Sequence, residues 1–363
     1  MLHLKQYKRK GIGLSQQDTQ ISGLAFIGAE FTPENVEITV SRGIITDIVP
    51  ASAPITRCIL PAFFNAHTHI GDTVALDLPA DRPLADLVAP PNGIKHQILN
   101  STSPDMLQAG MRSTLAYMQS RGTLGFADFR EGGAAGVDLL SSVLPSEMSA
   151  VILGRDGGEL HPAAAGLGLS SAHGTDAEQA CAERVRAAGR LVAVHAGEAQ
   201  PGDIDAAFEL KPDLIIHATQ FRPADIRRAA DEDIAVCLCP RSNWTLHVSS
   251  AKTNPPVSAL LEAGVRTFLG TDNAMFVPPD MFAECAFLMD VYGVSAKTAL
   301  QTATAGWTLA GKPAGIAVGA PADLTVLDAP QFFDWSRNPL RTALVRLGSA
   351  SVAEIYAAGR RIR

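Results

Sequence analysis

The segment "LPAFFNAHTHIGD" (60–72) carries an apolar run that ends in two histidines, His67 and His69. On an extended chain, residues two apart project to the same face. Two imidazoles so placed form a metal-ligand pair, although alone they suit hydrogen-bonded polar groups equally well. Three further apolar runs end in the same way: "LVAVHAGE" reaches His195, "DLIIHATQ" reaches His217 and "RTFLGTDNA" reaches Asp272. Strands that all finish in titratable ligand types would bury costly unpaired groups unless something gathers them. A divalent cation does so, and imidazole with carboxylate suits zinc first and iron second.

The elements that must position these residues follow a regular order. Apolar strands at 59–66, 123–129, 149–155, 165–171, 191–195, 213–217, 234–240 and 265–272 alternate with helical segments. Such alternation calls for a parallel sheet. Eight units in about 250 residues suit an α/β fold of the (β/α)8 TIM-barrel type, whose chemistry sits at the C-terminal ends of the strands. A doubly wound open sheet is the rival, but no Gly-x-Gly-x-x-Gly follows the first strand. The interval 155–165 is too short for a full helix, which predicts one abbreviated crossover. Residues 70–103 read as a long irregular loop, and a helix over 104–120 opens with Pro104, where a missing N–H costs little. Near the start, "ISGLAFIG" and "VEITVSRGIITDIVP" read as strands, with a tight hairpin at Arg42-Gly43. Near the end, "ADLTVLD" (322–328), "ALVRLG" (343–348) and "VAEIYAAGRRIR" (352–363) also look strand-like. The expectation is a small β-sandwich-like module made from both termini (1–57 and 313–363) around a barrel at 58–312.

As a set, "NAHTH" (65–69), "HAGE" (195–198), His217, "CPRSN" (239–243), "GTDNA" (270–274) and the closing "VGAPADLTVLD" (318–328) resemble the amidohydrolase superfamily. The likeness is to its adenosine deaminase and cytosine deaminase-like branch, with chlorohydrolase-type members. It implies one divalent metal ion, Zn2+ or Fe2+, held by His67, His69, His195 and Asp272. Such an ion lowers the pKa of a coordinated water from about 15.7 towards roughly 7. The resemblance further implies that Asp272 accepts a proton and that His217 acts as a base or stabilises developing charge. Glu198 would protonate a ring nitrogen next to the attacked carbon before ammonia leaves, as a glutamate that is not a ligand does in other zinc deaminases. Two-metal members of the superfamily bridge their ions with a strand lysine. Here no lysine lies between 96 and 210, so a single-metal site is expected.

Substrate contacts are expected from the loops beyond the strands: Asp72, Lys95 and His96 in the 70–103 insertion, Arg130 in "DFREGG", Arg155, and Arg241 with Asn243. Arg130 and Lys95 would matter for a substrate carrying a carboxylate or phosphate. The partner is then a small molecule: a purine, pyrimidine or pterin-like amine. Two other readings share the sequence. One is a non-deaminating hydrolase that opens a cyclic amide or displaces halide at the same site; the other is a silent barrel serving as an interaction protein. Bulk composition narrows the field. Net charge is −7, and the only basic block is "KQYKRK" (5–10), which disfavours nucleic acid. No apolar run spans a membrane and no leader is apparent, so the cytoplasm is expected. Five scattered cysteines, with Cys237 and Cys239 read as buried apolar residues, fit a reducing compartment. A homodimer is expected only by analogy with the superfamily.

Overall fold

The structure, a computed structural model, describes residues 18–329 and 334–363; the basic stretch at 5–10 lies outside them. The strands in chain order are β1 (Thr19–Ile27), β2 (Thr32–Ser41), β3 (Ile44–Pro50), β4 (Arg57–Pro61), β5 (Phe63–His69), β6 (Thr123–Arg130), β7 (Ser149–Gly154) and β8 (Gly166–Leu169). They continue with β9 (Leu191–Ala196), β10 (Leu214–His217), β11 (Ala235–Leu238), β12 (Thr267–Leu269), β13 (Asp272–Asn273), β14 (Leu324–Asp328), β15 (Val352–Ala357) and β16 (Arg360–Arg361).

One sheet runs β12-β11-β10-β9-β8-β7-β6-β5-β13, with every neighbouring pair parallel. β12 and β13 are two pieces of one interrupted strand. The first pairs with β11 and the second with β5, so the sheet closes on itself as the eight-stranded barrel. Asn65 fastens this closure: its Nδ2 donates to Thr271 Oγ1 at 2.7 Å, and its Oδ1 accepts from the Thr271 N–H at 3.0 Å. Gly270 lies at the break, where any Cβ would come within 2.7 Å of the His67 backbone nitrogen. Helices follow most strands, and the crossover from β7 to β8 has none, as its length demands. Pro104 opens the helix Pro104–Ser120, capped by Ser103.

The second sheet runs β16-β15-β14-β4-β1-β2-β3 and draws on both ends of the chain. Its β2–β3 hairpin turns at Arg42 and Gly43, whose φ values of +50° and +84° give the paired left-handed residues of a two-residue turn. Three expectations are corrected. The apolar run at 59–66 is not one barrel strand. Arg57–Pro61 pairs with β1 and β14 in the terminal sheet, and the barrel strand starts at Phe63. Both halves are buried on two sides, so the run reads as continuous. "ALVRLG" is helical, within the turns Thr342–Leu347. Leu340, Ala343, Leu344 and Leu347 are its buried residues, which is helical spacing, and Asn338 caps the segment ahead of Pro339. The 70–103 insertion is structured: it holds the short turn Ile70–Ala75 and the helices Leu84–Val88 and Ile94–Ser101.

One apolar core runs through both sheets, joining Leu24, Leu60 and Ile355 to Phe63, Val194 and Leu238. Among the described residues no helix is long and apolar enough to cross a membrane. Cys237 and Cys239 are fully buried.

Candidate active site

Five side chains arrive at one end of the barrel because each lies in the C-terminal part of its barrel strand, Asp272 just beyond the interruption of the last. His67 and His69 come from β5, His195 from β9, His217 from β10 and Asp272 from β13. His67 Nε2 lies 3.1 Å from Asp272 Oδ1 and 3.1 Å from His195 Nε2. His69 Nε2 lies 3.4 Å from His195 Nε2 and 3.6 Å from Asp272 Oδ1. The four groups offer ligand atoms all within 4.8 Å of one another.

The outer ring nitrogens show which edge each imidazole turns inward. His195 Nδ1–H donates to the Leu169 carbonyl at 2.8 Å. His69 Nδ1 faces Glu131 Oε1 at 3.2 Å, and a carboxylate can only accept. Both rings therefore aim an Nε2 lone pair at the same spot. Burial keeps them neutral, pushing His69 down to about 3 and His195 well below the ordinary imidazole value. Neutral lone pairs converging with a carboxylate oxygen are uncompensated in protein alone, and they are the donor set of a divalent cation. The residues present fit such an ion.

The remaining wall of the site carries proton-transfer chemistry. His217 Nε2 lies 3.6 Å from Glu198 Oε2. His217 Nδ1–H donates to Asn243 Oδ1 at 3.0 Å, and Asn243 Nδ2 in turn donates to Thr219 Oγ1. Asn243 thus orients His217 and does not line the cavity. Burial raises the Glu198 carboxyl above its ordinary value despite the nearby His217. Ser242 donates to Asp272 Oδ2 at 2.6 Å, fixing the carboxylate's second oxygen. His217 and Asp272 adopt left-handed φ values of +75° and +63°. Non-glycine residues are rarely held there, and such strain clusters at functional sites.

A cavity of about 710 Å³ opens above these groups, with Glu198, His217, Lys95 and Arg155 in its wall. A second, of about 970 Å³, adjoins it, and Arg155, Ser170, Ser171 and His173 border both. The expected substrate contacts divide accordingly. Lys95 and Arg155 reach the first cavity. Arg130 and His96 line only the second, and His96 Nε2 is bound to the Val88 carbonyl. Asp72 is fully buried beneath Lys95 and touches no cavity wall. Arg241 turns away to pair with Glu284 and the Pro278 carbonyl, a structural contact.

Glu131, which with Arg130 in "DFREGG" reads as a substrate contact or a loop salt bridge, is an ion-pair hub. Lys95, Arg130 and Arg155 all pair with it, and it holds His69. Burial alone would raise its carboxyl, yet these three cations hold it well below the ordinary value. The available signal was an acidic residue one step beyond the end of β6.

Residues 167–360 match the Amidohydrolase family. A putative aminohydrolase of Methanothermobacter thermautotrophicus is 30% identical, over 94% of this chain and 98% of that protein. The fold matches that of an adenosine deaminase from Xanthomonas campestris with bound zinc, at TM-score 0.72 and 19% identity, covering 94% of this chain and 92% of that one. An atrazine chlorohydrolase from Arthrobacter aurescens, complexed with zinc, superposes with TM-score 0.74 at 15% identity, covering 94% of each chain. The chain belongs to the amidohydrolase family, and it is a hydrolase acting on carbon–nitrogen bonds.

Proposed function

We propose that this protein is a metal-dependent hydrolytic deaminase of an aminated heterocycle: purine, pyrimidine or pterin-like. The observation that carries this reading is Glu198. It is a part-buried carboxyl whose pKa is raised by desolvation, facing the cavity beside His217 and outside the four-residue metal cluster.

His67, His69, His195 and Asp272 would hold one divalent ion, zinc or iron. When bound, that ion supplies an acidified water and a polarising charge. The chain's own groups do the rest. Asp272, held through Oδ2 by Ser242, is placed to accept a proton from the attacking water. Glu198 keeps its proton until a ring nitrogen beside the attacked carbon takes it, since a nitrogen that gains a proton activates that carbon. His217, its ring fixed by Asn243, presents Nε2 to the oxygen on which charge builds. The proton taken from water then passes to the amino group, which departs as ammonia; as the carbonyl forms, the proton left on its oxygen returns to the Glu198 carboxylate and restores the acid. A cavity of about 710 Å³ accommodates a heterocycle of this size, within the usual range of roughly 300–1,000 Å³.

The test is ammonia release from a panel of adenine and its nucleosides, guanine, cytosine, pterins and triazines, with Glu198→Gln alongside. Release from one ring class that disappears in the variant supports the reading. Turnover that survives the substitution, or product formed without ammonia, moves the assignment to a non-deaminating hydrolase.

A further inference from the structure

A second set of ligand-type groups lies on the far side of His69. His69, Asp72 and Glu131 offer atoms within 4.8 Å of one another, and His69 belongs to both this set and the first. Its Nε2 faces the first cluster, while its Nδ1 faces the second. Between them sits Lys95 Nζ, 2.7 Å from Glu131 Oε1, 2.8 Å from Asp72 Oδ2 and 3.3 Å from His69 Nδ1.

Three features indicate that this place is built for a cation. Lys95 is only 3% exposed, and burying an ammonium costs several kcal/mol unless close charges offset it. Asp72 is fully buried, and the Lys95 ammonium, 2.8 Å from Oδ2, is its close compensation. Glu131 stays in place without Lys95, because Arg130 and Arg155 bind it as well. Two carboxylates and one imidazole are a suitable donor set for a divalent ion. The place is filled by the lysine, which comes from the 70–103 insertion and from no barrel strand.

We infer that Lys95 is a tethered cation filling a second metal site on the outer nitrogen of His69, so that the chain excludes a second divalent ion there. The inference rests on the proposed reading in which the inner face of His69 binds the catalytic metal. Lys95 acts here as a positioning residue: paired with Asp72 and Glu131, it holds Glu131 where its carboxylate can accept the His69 Nδ1 proton. An ion at Nδ1 would displace that proton and turn the ring into a bridge between two metals.

The experiment is metal stoichiometry, by elemental mass spectrometry after equilibration with excess zinc and removal of the free ion. Wild type, Lys95→Ala and Lys95→Ala/Asp72→Ala are compared. The expected counts are one, two and one per chain. A folded Lys95→Ala chain that binds no more zinc than wild type overturns the inference. Should that variant not fold, wild type still decides. Refusal of a second equivalent under excess zinc supports the inference, and a second equivalent that Asp72→Ala removes overturns it. A wild-type chain with no zinc contradicts the reading of the first cluster. The difference between Lys95→Ala and wild type still reports on Lys95 alone: one added ion supports the inference and none overturns it.

Discussion

Glu198 and His217 differ from the four clustered groups in how they are held. His67, His69, His195 and Asp272 are locked to one another, whereas Glu198 approaches His217 and Asp272 from the cavity wall and is part-exposed there. A proton donor needs that freedom. Glu198→Gln should lower kcat by about 10²–10⁴-fold, the usual worth of a placed general acid, while leaving the bound metal unchanged. Steady-state kinetics with metal analysis checks both. The pH dependence follows from the direction of the shift. Burial raises the Glu198 pKa, so the group holds its proton at low pH and loses it as pH rises through the raised value. In the proposed reaction the protonated form is the active one, so kcat/KM should fall on the alkaline side, and a profile flat there would contradict the assignment. The four clustered residues and Glu198 were legible in the sequence because each stands at or just beyond the end of an apolar run. Asp72 and Arg241 were not legible as structural residues. Their partners, Lys95 and Glu284, lie 23 and 43 positions away, and charge alone does not say whether a residue faces a cavity or a counter-ion.

At the scale of elements, the closure between β5 and β13 sets the register of three ligand positions, His67, His69 and Asp272. Two side-chain contacts hold it. Asn65→Ala removes both Asn65–Thr271 hydrogen bonds and leaves a buried Thr271 N–H unpaired, at a cost of about 1–3 kcal/mol. A lower urea midpoint with unchanged slope is the expected result. Gly270→Ala acts differently. Its Cβ would lie 2.7 Å from the His67 nitrogen and 2.8 Å from the His67 Cβ, so the ligand strand must shift. Metal affinity should fall on the order of 10–100-fold, as for other residues that orient ligands, which competition with a chelator measures. Alternation of strand and helix made the barrel readable. The split at Ala62 was not readable, because a strand buried in the terminal sheet and one buried in the barrel have the same composition. "ALVRLG" misled because its six residues are too short a window: the helical spacing appears only when Leu340 is included.

At the scale of the whole molecule, the terminal sheet and the barrel share one core, and direct bonds join them. Trp307 Nε1 donates to the Ala62 carbonyl at 2.9 Å, and the Ala62 N–H donates to the Asp323 carbonyl at 2.9 Å. The two sheets should therefore unfold together: tryptophan fluorescence and far-UV circular dichroism should give coincident thermal transitions, and two separated steps would show independent units. The pairing of the termini was partly legible, since strand-like segments at both ends have nowhere else to bury an apolar face. Their order within the sheet was not, because β4 enters it from what reads as barrel sequence. At one end of the barrel a cation-shaped cluster meets Glu198, whose carboxyl burial shifts above its ordinary value. The measurement that tests this most directly is ammonia release against zinc bound per chain, by titrating metal-free protein with zinc in the presence of the aminated heterocycle panel. The expected result is release from one ring class that rises with bound zinc and reaches its plateau at one ion per chain. Zinc fully bound at that stoichiometry, with no ammonia from any ring, would contradict the assignment of a deaminase.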